Sequence, residues 1–277
     1  MSNTYSNLLN KIEYRYFLIR KHIYQNIRIY RNCSKKILFV IGCQRSGTSI
    51  MMRVFERDYK SKVYMELDKI FRQDEQAMRL KPLQSVKEIF DNAFASLIVS
   101  KPLLDTQIIF DILNFFPDSK AIFIFRHYKD VVSSFLKIFG TQTGIKDISP
   151  IVQNNLQDWR AQNVSDEISN IVKKIYSPNM DPFDAAALFW FTRNHLFFDL
   201  KLNTNSNVLM CKYEDLVTEP SDTFGNIYKA IDCQFPGKRI IQSVHSRSKG
   251  KGKKVSLSPE IESMCKKLWV KLNDAYG

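Results

Sequence analysis

The sequence predicts an α/β protein with a central parallel β-sheet flanked by helices on both faces. Three observations predict it. Short, wholly apolar runs such as Ile37–Ile41 and Ala121–Phe125 recur along the chain, and a strand buried on both faces reads that way. Helical patterns separate these runs, the alternation that a parallel sheet with crossover connections requires. The 277 residues, 44% hydrophobic and 25% charged, suffice for one large domain with a full core.

Residues 1–36 are expected to form a basic amphipathic N-terminal helix. Tyr5, Leu8, Leu9, Ile12, Tyr16, Ile19, Ile23 or Tyr24, Ile27 and Tyr30 fall at helical spacing, with arginines and lysines between them. Such a helix lies on an anionic membrane or packs against the domain or a partner. The domain proper spans 37–277. It opens with the strand Ile37–Ile41, the helix Thr48–Asp58 and the strand Lys62–Met65. Next come the helix Val86–Phe94, the strand Leu97–Val99 and a helix Asp105–Phe116 closed by Pro117. The strand Ala121–Phe125, the helix Asp130–Phe139 and the strand Asn207–Cys211 complete the alternation. Residues 140–183 interrupt it with polar patches, Pro150, Pro178 and Pro182, and are expected to be a helical insertion. A long helix, Asp184–Leu202, carries Trp190, Phe191, Phe197 and Phe198.

The formal charge of +13 is concentrated at the two ends. Residues 1–36 hold eight Lys/Arg against Glu13, and residues 238–277 hold ten against Glu260, Glu262 and Asp274. A near-neutral body with basic ends points to an anionic ligand, polymer or membrane surface, not to a protein that coats nucleic acid. The five cysteines are widely spaced without a C-x-x-C pair, which argues against zinc or redox chemistry and for free thiols in a reducing compartment. The apolar run Tyr16–Ile19 is too short for a signal peptide, and no stretch reaches the roughly 18 apolar residues of a membrane span. The chain is therefore expected to be soluble and cytoplasmic, with a peripheral membrane contact left open. Its oligomeric state is also left open.

The chemistry concentrates at ILFVIGCQRSGTSIMM, Ile37 to Met52. A strand running through a glycine turn into a helix aims backbone N–H groups and a helix dipole at one point, an anion site. From Gly42 the pattern is G-x-x-x-x-G-T-S, one residue from the nucleotide-binding G-x-x-x-x-G-K-[ST], with Thr48 where the lysine belongs. A P-loop kinase or ATPase also needs an acid at a strand end for Mg²⁺, and Phe125, Arg126 and His127 stand there instead.

QRSGTS after an apolar strand resembles the 5′-phosphosulfate loop of sulfotransferases, P-[KR]-S-G-T-[ST], enzymes that use 3′-phosphoadenosine 5′-phosphosulfate (PAPS). A second motif of that family, R-x-P-x-D-x-x-x-S after a strand, resembles FRHYKDVVSS: Arg126, Asp130 and Ser134 keep the spacing, and Tyr128 replaces the proline. CKYEDLVTEP resembles the family's Y-E-D-L segment, and SRSKGKGKK more loosely its R-K-G loop. The resemblance covers residues 37 to about 255. It implies a P-loop-like sulfotransferase fold in which Arg45, Ser46, Gly47, Thr48 and Ser49 hold the 5′-phosphosulfate, and Arg126 and Ser134 hold the 3′-phosphate. Tyr213 would contact the adenine, and Lys249 and Gly250 would close over the 3′-phosphate. The neighbouring Glu214 and Asp215 are read as helix caps.

The histidine base of cytosolic members is missing, because SKPLLD keeps Lys101 but has Leu103 in its place. Another branch, including tyrosylprotein and some carbohydrate sulfotransferases, uses a glutamate after the loop helix. Glu66 in VYMELDKIF stands at that place, ending a short strand, with Asp68 in reserve. Glu66 is thus the expected general base, Lys101 the cation at the transferring group and Arg45 a stabiliser of developing charge. Neither His127 nor His195 shows a partner for a dyad. A sulfuryl group carries less charge than a terminal phosphoryl group, so no metal is expected. The acceptor is expected to be a carbohydrate or glycolipid hydroxyl, with a small metabolite or protein tyrosine as alternatives. A rival reading is a non-catalytic module binding sulfated or acidic glycans.

Overall fold

A computed structural model describes residues 2–27, 35–73 and 78–277, with side chains from Ile12 onward. Five strands form one parallel sheet: β1 (Lys36–Gly42), β2 (Ser61–Tyr64), β3 (Leu97–Ser100), β4 (Ser119–Phe125) and β5 (Val208–Lys212). Their order across the sheet is β2-β3-β1-β4-β5, which puts β1 at the centre. Phe39 pairs with Ser100 of β3 and with Ala121 of β4 in register.

Both faces of the sheet are buried, which explains the continuous apolar runs. Leu38, Val40, Ile122 and Ile124 point to one face, under α2 (Thr48–Glu56), α9 (Tyr213–Thr218) and α10 (Pro220–Ala230). Phe39, Ile41, Ala121 and Phe123 point to the other face, the side of α3 (Leu83–Asp91), α4 (Ile109–Phe115), α5 (Tyr128–Phe139) and α8 (Pro182–Asp199). Burial of a side chain of this size contributes about 1.5–3 kcal/mol. Because the chain leaves β1 toward one face and β3 and β4 toward the other, crevices open on either side of the β1 carboxyl end, the usual ligand edge.

The predicted strands match to within one or two residues, and the helices less closely. The helix expected from Asp105 is two pieces, a 3₁₀ turn Leu103–Ile108 followed by α4. Here side chains compete with the helical ladder: Thr106 Oγ1 donates to the Leu103 carbonyl and accepts from Gly42 N at 3.2 Å. Asp105 accepts from Arg79 Nε at 2.7 Å and Leu80 N at 2.8 Å. Residues 140–183 contain α6 (Thr143–Val152) and α7 (Asp166–Ile175). Asn163 Nδ2 ties this region to the 3₁₀ turn by donating to the Gln107 carbonyl at 2.7 Å. Helix α8 starts where Asp181 caps Phe183 N at 2.8 Å with Pro182 in its first turn. Helices α10 and α11 (Pro259–Tyr276) went unpredicted, although each opens on a proline followed by acidic residues.

Helix α1 (Ser2–Ile27) covers part of the predicted basic helix; its expected continuation through Tyr30 lies outside the described residues. It docks through polar side chains. Lys21 Nζ donates to the Glu56 carbonyl at 2.6 Å, and Gln25 Nε2 to the carbonyls of Tyr59 and Ser61 at 2.9 and 2.8 Å.

Candidate active site

The loop from β1 to α2 turns at Gly47. Its φ is 104°, and a Cβ there would stand 2.3 Å from Cδ2 of Tyr213, closer than any side chain tolerates. Glycine therefore lets the Tyr213 ring lie against the loop. Arg45 also has a positive φ, 68°, a conformation that costs a residue with a Cβ about 1–2 kcal/mol. Its Nε donates to Ser134 Oγ on α5 at 3.0 Å. No side chain caps the start of α2, which leaves its first N–H groups and its dipole for an anion.

Arg126 stands immediately after β4. Its Nη1 donates to the Arg45 carbonyl at 3.3 Å, its Nη2 donates to the Ser248 carbonyl, and its guanidinium lies 4.1 Å from the Tyr213 ring centroid. Its Nε is buried without a hydrogen-bond partner. A buried charged donor left unmade is costly, and a ligand acceptor at this atom would remove that cost. Burial and then the neighbouring Arg126 lower the pKa of Arg45, a repulsion that an anion between the two would relieve.

These groups line a cavity of about 250 Å³ together with Gly47, Thr48, Ser49, Ser134, Tyr213 and Ser248, and none of its described lining residues is acidic. Five of the expected donor-binding residues beside the loop glycine thus meet here: Arg45, Thr48, Ser49, Arg126 and Ser134, with Tyr213 as a wall. Ser46 does not line it; it is buried and its Oγ has no partner. Arg53, Ser243 and His245 also line the cavity. Arg53 had a signal, its place one turn after Ser49 on α2; Ser243 and His245 had none.

Lys249 and Gly250 instead line a neighbouring cavity of about 300 Å³ with Glu214 and Trp269. Their segment is fastened by Asp130, whose Oδ2 accepts from Gly250 N at 2.8 Å and whose Oδ1 accepts from Gly252 N at 2.6 Å. A Cβ on Gly252 would stand 2.2 Å from the Lys129 carbonyl carbon, so the approach requires glycine. Asp130 Oδ2 also lies 3.4 Å from Arg126 Nη2, and one carboxylate thereby holds the basic segment over the arginine. Glu214, in the first turn of α9, accepts from His127 N at 3.1 Å and links α9 to the end of β4.

On the other side of β1, Lys101 follows β3 and is 2% exposed. Its Nζ lies 2.5 Å from Glu66 Oε1 and donates to Ser49 Oγ at 3.2 Å. Burial lowers its pKa, and Glu66 opposes that shift. Glu66 does not end the strand as expected; β2 stops at Tyr64 and Glu66 lies in the following turn. Asp68 closes that turn by accepting from Met65 N at 2.6 Å, which makes it the holder of Glu66. Leu103, in the histidine position, is buried. His195 does have a partner, contrary to the sequence reading: its Nδ1 lies 2.9 Å from Asp199 Oδ1, one helical turn on along α8. The pair is not among the residues lining the cavity of Arg45 and Arg126. Among the described residues, no group of three or more His, Cys, Asp or Glu is placed to hold a metal ion.

The sheet order, the anion loop on its central strand and the arginine after the next strand define a P-loop-like α/β fold of the sulfotransferase kind. No protein-family model matches the chain, and no curated protein matches it. Solved structures do. The sulfotransferase domain from the curacin biosynthetic pathway aligns with a TM-score of 0.52 at 16% identity, over 86% of this chain and 98% of that one. The sulfotransferase domain from the Synechococcus PCC 7002 olefin synthase aligns with a TM-score of 0.50 at 15% identity, over 87% of this chain and 95% of that one. At such identities the likeness is one of fold.

Proposed function

We propose that the chain is a PAPS-dependent sulfotransferase that transfers the sulfuryl group to an acceptor hydroxyl, of a carbohydrate or glycolipid. The observation that carries this reading is the meeting of Arg45, Ser134 and Arg126 at one acid-free cavity, with the buried Arg126 Nε left for a ligand oxygen. Two motifs 81 residues apart are joined there by a direct hydrogen bond.

PAPS, when bound, supplies the activated sulfuryl group. The α2 amides, Arg45, Thr48 and Ser49 would hold its 5′-phosphate and stabilise the charge that grows there as the S–O bond breaks. Arg126 and Ser134 would hold the 3′-phosphate, and Tyr213 would face the adenine. Glu66 would take the proton of the acceptor hydroxyl as that oxygen receives the sulfuryl group, with PAP as the leaving group that the bound donor would supply. Lys101 connects the two halves, with its ammonium against both Glu66 and Ser49. A carboxylate base suits a hydroxyl acceptor. The carbohydrate or glycolipid class rests on the resemblance to glutamate-base enzymes, with residues 140–183 as the candidate acceptor lid.

Thermal shift with PAP in EDTA tests the donor reading, and transfer from radiolabelled PAPS across a panel of glycans, glycolipids, small phenols and tyrosine peptides tests the acceptor. Stabilisation by PAP without metal is expected. Stabilisation by Mg²⁺-ATP alone would return the chain to the nucleotide triphosphatases.

A further inference from the structure

We infer that α1 is an interfacial helix that seats this domain on an anionic lipid bilayer. The inference does not depend on the donor chemistry. Ile12, Tyr16, Ile19, Ile23 and Ile27 are 55, 62, 58, 49 and 75% exposed. At about 100° per residue they share an arc of about 80° on the helix. The docked side chains Phe17, Lys21 and Gln25 fall roughly opposite, and Phe17 packs edge-on against Tyr59 at 5.1 Å. The helix is thus held to the protein by its mixed face and presents its apolar face outward, the reverse of what an amphipathic helix on a globular domain does.

Charge selects the occupant. Arg15 and Arg20 flank the apolar arc, about 40° and 20° outside its two edges and outnumbering Glu13 beyond Arg20, where their stems can lie along it and their guanidinium groups reach lipid phosphates. Beside Arg20, a cavity of about 490 Å³ under the helix is lined by Lys60 and Arg239 with Tyr24 and Tyr59 as walls. Asp58, which also lines it, is engaged by Tyr228 Oη and by Lys60 N, both at 2.9 Å. A second copy on this face would set like charges against one another, since a twofold contact repeats the same patch on both subunits. An anionic bilayer neutralises them and buries the isoleucines. Among the described residues no helix is long and apolar enough to cross a membrane, so the contact is with the surface. Helix α1 rests on the α2–β2 connection, at the amino end of β2, which leaves the carboxyl-end cavity clear.

Co-sedimentation of the full chain with vesicles tests this. Phosphatidylcholine mixed with phosphatidylglycerol should pellet the protein, and phosphatidylcholine alone should pellet much less. Ile19→Asp with Ile23→Asp should weaken partitioning at least about tenfold, since burying what the two half-exposed isoleucines still show to water contributes, for the pair together, about one factor of ten or more. Arg15→Gln with Arg20→Gln should weaken it and flatten its salt dependence. Near-ultraviolet circular dichroism shows that the variants remain folded. The inference is overturned if the unmodified chain stays in the supernatant with anionic vesicles, or if the isoleucine variant binds as well as the parent. It is equally overturned if sedimentation equilibrium finds a dimer that the isoleucine variant splits while vesicle binding is unchanged.

Discussion

The cavity beside Arg45 and Arg126 and the Glu66–Lys101 pair are held in place in different ways. Around the cavity four segments interlock: the anion loop, the start of α5, Tyr213 of α9 and the 248–254 segment, joined through Arg45–Ser134, Arg126–Arg45, Arg126–Ser248 and Asp130–Gly250/Gly252. Glu66 hangs on one turn beside the edge strand β2 and on one ion pair to Lys101. Redundant contacts fit the proposed donor site, because preorganisation makes fixed hydrogen-bond donors effective toward a polyanion. The Glu66 side chain is a quarter exposed, against 3% for Lys101, which fits the proposed role of a proton acceptor open to its substrate.

Removing Arg126 should break the donor half most severely. Arg126→Ala deletes the contacts to Arg45, Ser248 and Tyr213, and PAP affinity measured by calorimetry should fall about 100-fold or more, as expected when one partner of a buried charge pair is truncated. Unchanged affinity would remove the 3′-phosphate assignment. Glu66→Gln should lower turnover by at least about 100-fold, the low end for general-base catalysis, while PAP binds as before. Near-normal turnover would take Glu66 out of the mechanism, and a parallel loss of PAP affinity would show that the two halves are not separable.

Asp130→Asn should have an intermediate effect. Both N–H groups of Gly250 and Gly252 lose their charged acceptor: one keeps a neutral amide oxygen and the other faces an NH₂ donor. A bond to a charged group is worth about 1.5–3 kcal/mol, so PAP affinity should fall about tenfold or more with faster proteolysis around residue 250. An unaffected affinity would make the basic segment a bystander. The smallest effect should come from Ser134→Ala. That change removes a single hydroxyl whose net contribution is about 0.5–1.5 kcal/mol, so affinity should drop less than about tenfold, and a loss as large as that of Arg126→Ala would overturn the picture of redundancy.

Much of this was legible in the chain. The apolar runs of β1 and β4, buried on both faces, and the glycine turn into α2 carry local signals, so the strands, the anion loop and its two arginines could be read directly. The 3₁₀ turn at Leu103–Ile108 could not, because it also depends on hydrogen bonds of Asp105 and Thr106 with Arg79, Leu80 and Gly42, more than twenty residues away. Asp68 stands in reserve behind Glu66, but its bond to Met65 N, which ties it into the turn, has no signal in the sequence. The pairing of His195 with Asp199 was within reach, since the two stand at i and i+4 on a predicted helix.

By itself the sequence determined the class of sheet and the strand, glycine turn and helix that lack the Walker lysine. Hydrophobic period and glycine placement are local, and they survive translation into structure. Only the tertiary structure decided which groups share a site. Lys101 meets Glu66 and Ser49 because β3 lies between β2 and β1, and Asp130 meets Gly250 because a carboxylate in the first turn of α5 can hold a distant backbone. It also decided that α1 turns its isoleucines away from the domain, since the contacts of Lys21 and Gln25 with the α2–β2 connection fix the helix's rotation and no pattern in the helix alone can.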